Sequence, residues 1–524
     1  MKRELIVVFM AAVALYLPAS RYGFVQDDRA IIASNPAAHS IGAALGALDD
    51  PYWPRESGAG LYRPMTILSY AIDWTMSGGS AGWLHVMNAL WHGLATVLFV
   101  CVIARWLPPV AAAGAGLVFA WHPVHVEAVA SLVGRAELLA AVGILGAVLA
   151  ARRGWWIGAL LCAALAMLSK EHGVIVGVVI LIDRWTSPPD PHYPSLRSGQ
   201  ALRERGKGGE AGLWLGLSAV TVAYLVVWSL IGRAGASDTA AVFFGRGLLG
   251  RWAIALPAVL RAGVLLFGPV SLSSDYSPRV IPAYSGLSLA AVVGLCIVIA
   301  VPIIMVRYRR RAPLISFASG LATLSYVPTS NLLFPSGIVL AERNLYLAVA
   351  LPAALMGLGV AWLEATRGLR LALAATGVIA LAFGVRSFVR LPAWRDNRAQ
   401  LLTLLVEHPE SYVGHASAAA VLAGRGDTAG ARRQYGLADS LFAGDPYLNA
   451  AHAIFLLGLG DTAGAAPLVA RLNAPAGTGA HRAVWRARFL FELRRGDRKG
   501  ATVIADSARR YFPSDEPWYR PYLQ

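Results

Sequence analysis

The sequence predicts an all-α protein, a polytopic membrane helix bundle of about eleven spans followed by a C-terminal α-solenoid. Three observations lead there. Hydrophobic residues make up 56% and charged residues 15% of 524 positions, and a mean hydropathy of +0.55 is too apolar for an ordinary soluble chain. The apolar residues fall in helix-length blocks from the N-terminus to about residue 390, beyond which the composition turns soluble. The hexapeptide GDTAGA occurs at 426–431 and 460–465, and a degenerate GDRKGA at 496–501. Two domains are therefore expected, 1–390 in the membrane and 391–524 outside it.

A helix needs ~20 apolar residues to cover ~30 Å of hydrocarbon, although helices buried inside a bundle can be shorter. The blocks at about 4–20, 83–104, 108–121, 136–151, 155–168, 173–184, 212–232, 284–306, 312–328, 344–363 and 370–390 fit that requirement. The first has the basic start of a signal peptide, and we read it as an uncleaved helix anchoring the loop behind it. Residues 247–270 look like a further span but carry Arg251, Pro257 and Arg261. Counting them as a crossing would put the basic run 307–311 outside, so an amphipathic or re-entrant element on the outer face is expected. Arg105, Arg152, Arg153, the stretch 184–207, the run 307–311, Arg367 and Arg370 are then cytoplasmic, together with the N-terminus. The segments 21–82, 122–135, 169–172, 233–283, 329–343 and everything after 390 share the outer face. The Ala-, Gly- and Arg-rich composition suggests a prokaryotic cell membrane, whose outer face is periplasmic.

The repeats are offset by 34 and 36 residues, and 34 is the tetratricopeptide period. Each copy lies between two helical patterns; its Gly ends one helix and its Asp caps the next. Such a solenoid offers a concave surface for a protein or peptide. The net charge of +16 is carried by arginine, because lysine occurs only at Lys2, Lys170, Lys207 and Lys499. In a membrane chain this balance fits cytoplasmic loops, anionic lipid headgroups or a phosphate-bearing substrate. No basic and aromatic module points to nucleic acid. Cys101, Cys162 and Cys296 all lie in apolar stretches and read as small buried hydrophobes, with no disulfide frame or zinc site implied.

The unusual polar residues cluster in the outer segments. Asp27 and Asp28 stand just after the first helix in YGFVQDDRA, where a carboxylate can face a substrate hydroxyl at headgroup level; adjacent Asp pairs also serve as caps and solvated turns. Arg63 opens LYRPMTILSY. His85, Asn88 and His92 share one helical face, suited to function or to hydrogen bonding between helices. WHPVHVEAVASLVGRAELL holds His122, His125, Glu127, Arg135 and Glu137. His122, His125 and Glu127 are possible metal ligands, but their spacing is not that of HExxH, and a polar substrate wall is expected with no metal. LSKEHG supplies Lys170 and Glu171, either a point charge for phosphate or a Lys–Glu pair. Asp275 and the Glu342–Arg343 pair complete the set.

FVQDD, YRPMTILSY, HPVHVEAVASLVGRAELL, LSKEHG, LSSDYSP and ERNLYL, in that order and followed by repeats, resemble the transmembrane and TPR repeat-containing O-mannosyltransferases. That family lies in the GT-C superfamily, whose members take a sugar from a polyprenyl-phosphate carrier. The resemblance implies a carboxylate base in the first outer loop, matching Asp27 or Asp28, and repeats on the same outer face. Here only about three repeats are recognisable, fewer than in many relatives, which bears on acceptor specificity. Inverting transfer needs one base for the acceptor hydroxyl and no acid for the leaving group, since phosphate leaves as an anion that a cation can stabilise. Lys170, Arg135, Arg63 and Arg343, in that order, are the expected phosphate contacts, and the scheme requires no cofactor beyond the lipid-linked sugar donor. Its partners would be that donor, membrane lipids, and a protein or peptide acceptor held by the repeats. A transporter or flippase would instead need polar residues on both membrane faces, and an assembly factor would not need such elaborate outer loops.

Overall fold

The computed structural model describes residues 2–54, 60–187, 207–231, 239–282, 286, 288–472 and 481–523, and among these the regular elements are helices, with no β-strand. The first part of the chain builds α1 (Lys2–Tyr16), α2 (Pro64–Ser77), α3 (Ala81–Ile103), α4 (Pro109–Trp121), α5 (Arg135–Arg152), α6 (Trp156–Ser169) and α7 (Val176–Thr186). It continues with α8 (Lys207–Ile231), α9 (Leu248–Phe267), α10 (Leu289–Tyr308), α11 (Pro313–Tyr326), α12 (Ala350–Arg367) and α13 (Leu369–Arg390). A helix falls on each of the eleven expected spans. Seven of those, together with α9, make up the eight helices long and apolar enough to cross a membrane. The other four, α4, α6, α7 and α11, have 13, 14, 11 and 14 residues. Even a 14-residue helix rises only ~21 Å, short of the hydrocarbon thickness.

Burial separates two kinds of helix. The α5 segment is 94% buried, whereas the windows on α8 and α10 are 11% buried. Apolar helices that leave so much surface uncovered must meet lipid, while α5 is the centre around which the bundle packs. The cysteines follow this division: Cys101 and Cys162 are half-buried, but Cys296 is exposed. The expectation of a buried Cys296 fails because it lies on α10, which has few neighbours to cover it.

Charged groups sort to the two ends of the bundle. At one end Arg152 pairs with Asp183 and donates to Val102 O, Arg184 pairs with Glu210, and Arg309 lies over Trp185. Residues 188–206 of the basic stretch 184–207 lie outside the described residues. The other end gathers the loops after α1, α4, α6 and α11, as their mutual contacts below make plain. Both ends of α9 reach this loop end. Arg251 and Trp252 donate to Leu332 O, while His122 meets Leu266 O at 3.0 Å and Arg386 donates to Val270 O. Both ends of α9 thus meet the same loop cluster, although its length and composition also allow a crossing.

After a helical turn at Leu391–Trp394 come α14 (Asn397–Glu407) and three helical hairpins: α15 (Tyr412–Gly424) with α16 (Thr428–Leu441), α17 (Pro446–Gly458) with α18 (Thr462–Arg471), and α19 (Arg482–Arg494) with α20 (Arg498–Tyr511). The repeated hexapeptide is the corner of each hairpin. Gly426, Gly460 and Gly496 turn the chain at φ of 81°, 79° and 84°, a conformation costly for other residues. Asp427, Asp461 and Asp497 then cap the second helix, each accepting from the N–H three residues on at 2.8 Å. Ala431, Ala465 and Ala501 are fully buried between the paired helices. A final helix, α21 (Glu516–Leu523), closes the stack with Tyr519 buried against Phe489.

Candidate catalytic site at the loop end of the bundle

The first loop carries the two aspartates in a tight turn. Asp28 N and Arg29 N donate to Val25 O and Gln26 O, and Gln26 adopts a left-handed φ of 46°. Asp28 is buried; its Oδ2 accepts Val25 N at 3.0 Å and its Oδ1 accepts Val133 N at 2.9 Å. Burial pushes its pKa up to about 7 against the opposing pull of those N–H groups. Asp28 therefore fastens the loop to the segment ahead of α5. That segment can present Val133 N because Gly134 folds tightly on a short helix, His125–Ala130: a Cβ there would stand 2.1 Å from Ala128 O. Asp27 differs. It is half-buried, its carboxylate accepts no hydrogen bond from a described residue, and it lies within electrostatic reach of Arg343.

Among the described residues, Arg63, Lys170 and Arg343 stand in the same loop cluster, each on a carboxylate. Arg63, at the start of α2, forks onto Glu171 with Nε at 3.0 Å and Nη2 at 2.7 Å, and lies over the Tyr52 ring. Lys170 Nζ pairs with Glu137 and donates to Asn344 Oδ1 at 3.2 Å. Arg343 places its backbone N and Nη1 on Glu127, both at 3.0 Å. The three share one field: burial lowers the Lys170 pKa, Glu137 opposes this, and Arg63 and Arg343 add to it. Their side chains differ in access, at 26% exposed for Arg343, 13% for Arg63 and 8% for Lys170. Arg343 is thus the most open to a ligand.

Arg135 does not join this cluster. It is fully buried, with Nε on Asn88 Oδ1 at 2.7 Å, Nη1 on Asp73, Nη2 on Leu84 O at 2.9 Å, and its plane over Tyr70. The phosphate contact expected of it gives way to an internal strut joining α2, α3 and α5. His122, His125 and Glu127 face different partners as well. The histidines meet Leu266 O and Tyr346 O, each at 3.0 Å, and Glu127 faces Arg343. Burial lowers the pKa of both histidines, that of His122 to about 4, so they are neutral. His92 bridges Tyr346 Oη and Ala120 O, and Asn88 reaches the 129–132 carbonyls, which ties α3 to the loops.

Glu342 and Asp275 form a neighbouring group. Glu342 is buried and accepts from Ser273 N at 2.6 Å and Tyr276 Oη at 2.7 Å, and burial raises its pKa to about 7. Asp275 accepts from Ser277 Oγ and, at 2.6 Å, from Ser411 Oγ at the start of α15, with its pKa also raised by burial. Part of the 233–283 segment, residues 233–238 and 283, lies outside the described residues. Two further residues carry no mark of their role in the sequence: Asn344, inside the ERNLYL block, and Asn397, outside every motif, whose Oδ1 accepts Gln26 N at 2.7 Å.

No family model matches the chain, and no solved structure matches it. Curated proteins do. The human protein O-mannosyl-transferase TMTC3 is 27% identical over 379 residues, covering 66% of this chain and 41% of that protein. Protein O-mannosyl-transferase F38B6.6 of Caenorhabditis elegans is 26% identical over 381 residues, covering 66% and 50%. The human protein O-mannosyl-transferase TMTC4 is 26% identical over 486 residues, covering 82% and 65%. The chain thus spans between about two fifths and two thirds of the length of these relatives. The resemblance read from the six ordered motifs and the repeats is also the one returned by direct comparison: the curated relatives of this chain are proteins named as protein O-mannosyl-transferases.

Proposed function

We propose that this chain is a membrane glycosyltransferase that moves mannose from a polyprenyl-phosphate carrier to a serine or threonine hydroxyl of a protein, on the extracytoplasmic face. The observation that carries the reading is the half-buried Asp27 carboxylate, which no described residue bonds, within the field of Arg343, a field that Arg63 and Lys170 share. The names of the relatives support the same reading. Asp27 takes the proton of the acceptor hydroxyl while that oxygen attacks the anomeric carbon. The bond from the anomeric carbon to the phosphate oxygen breaks, and the polyprenyl phosphate departs with the electron pair. Arg343, the most exposed of these three cations, meets that growing negative charge first, with Arg63 and Lys170 behind it. Displacement in one step inverts the anomeric configuration.

The test compares wild type with Asp27→Asn in membranes supplied with polyprenyl-phosphate mannose and a serine- or threonine-containing acceptor. Volume is nearly preserved and the base is lost, so transfer falls by ~10²–10⁴-fold while donor binding survives. Full activity in Asp27→Asn sinks the base assignment. Movement of the lipid between leaflets with no sugar transfer would make the chain a flippase.

A further inference from the structure

Asp27 lies in a turn that its own loop does not hold alone. Gln26, the residue before it, has a left-handed φ of 46°, a conformation that costs a residue with a Cβ unless its surroundings fix it. The group that fixes it is 371 positions away: Asn397 Oδ1 accepts Gln26 N at 2.7 Å. A second contact from the same segment, Gly23 N to Arg395 O at 3.1 Å, anchors the entrance of the turn. On the other side of Asp27, Asp28 is fastened to Val133 N.

We propose that Asn397 is a positioning residue for the transfer reaction, its side-chain oxygen holding Gln26 in the turn that presents Asp27, so that α14 completes the catalytic loop. The proposal rests on the reading of Asp27 as the base. Asn397 is available for the task, because α14 is capped by Asp396, whose Oδ1 accepts Ala399 N at 2.7 Å. Its position is tied to the bundle and not only to the repeats. Arg390 at the end of α13 pairs with Glu407 at the end of α14, and the turn Leu391–Trp394 joins the two helices directly. Anchoring both neighbours of Asp27, while no described residue bonds its own carboxylate, sets the backbone and leaves the oxygen atoms for an acceptor proton. A base displaced by about 1 Å can cost ~10²-fold in rate. The segment after α13 therefore has a part in catalysis separate from any hold on the acceptor.

The experiment uses the full chain in lipid nanodiscs and two substitutions. Asn397→Ala removes the acceptor, and Asn397→Asp keeps an oxygen in the same place. Two readouts are taken: amide hydrogen exchange of the peptide covering residues 22–30, and transfer kinetics with varied donor. In Asn397→Ala exchange in that peptide quickens and kcat falls about 10- to 100-fold, with the donor KM unchanged; Asn397→Asp restores both slow exchange and most of kcat. Wild-type exchange and kcat in Asn397→Ala would overturn the proposal, as would equal losses in the two variants. If the wild type transfers no sugar, the glycosyltransferase reading falls, and hydrogen exchange alone still decides whether Asn397 holds the turn.

Discussion

Asp27 and Asp28 are chemically alike and adjacent, yet their surroundings give them opposite characters. Asp28 spends both oxygens on backbone N–H groups and is buried, while no described residue bonds the oxygens of Asp27. Asp28→Asn puts an amide NH2 against one of those N–H donors, so we expect a loss of ~1–3 kcal/mol and a looser loop. Thermal melting should show it, whereas Asp27→Asn melts like wild type; equal melting of the two variants would undo the division. The cations divide in the same way. Lys170→Ala strands Glu137 in a buried site, a change worth ~3–5 kcal/mol, so the yield of folded protein should drop and the double variant Lys170→Met with Glu137→Gln should restore it. Arg343→Ala would leave Glu127, as buried as Glu137, with only the backbone N–H of residue 343. Arg343→Ala is therefore paired with Glu127→Gln, and that double variant should fold and bind donor roughly tenfold more weakly by titration. These distinctions were only half legible in the sequence. The motif blocks brought the right segments together, but which cation stays accessible depends on pairings between residues far apart, such as Arg63 with Glu171 and Lys170 with Glu137. Arg135 is the plainest case. Its place in the most specific motif drew attention, and only packing reveals that Asn88, Asp73 and Leu84 use up its guanidinium.

At the scale of elements, legibility followed periodicity. The spans and the hairpin corners were readable because apolar helix-length blocks and the GDxxGA spacing are local patterns with local causes. The corner motif states its own geometry: a left-handed Gly, a capping Asp, a Gly that leaves room for the cap, and an Ala small enough for close helix pairing. A fragment of residues 397–524 should accordingly be soluble and largely helical by circular dichroism. Within it Asp461→Ala should lower the melting temperature, as the loss of an N-cap does. A strand-rich or disordered spectrum would refute the solenoid as a self-sufficient stack. The short helices α4, α6, α7 and α11 show where periodicity stops informing. Their ends meet side chains from distant elements at the loop end of the bundle, as when Thr66 Oγ1 of α2 donates to Ser169 O at the end of α6, and no composition signal marks such contacts.

For the whole molecule the decisive element is α9, because its path sets the side on which every later segment emerges. Length and composition allow it to cross. Its contacts argue otherwise: Arg251 and Trp252 near its start and Leu266 near its end all meet loops that also meet one another through Glu127 and Arg343. The charge distribution agrees, since a crossing α9 would carry the basic run 307–311 to the side opposite Arg152 and Arg184, against the usual bias of such residues. Reporter fusions after Arg246 and after Val270 should therefore give the same, extracytoplasmic, signal. A fusion after Arg311 should report cytoplasm, and one after Arg395 should again report the outer side, where α14 can reach the Asp27 loop. Opposite signals from the first two fusions would make α9 a true span. A cytoplasmic signal after Arg395 would separate the repeats from the loop end altogether, contradicting the hydrogen bond between Gln26 and Asn397 on which the proposed positioning of Asp27 depends.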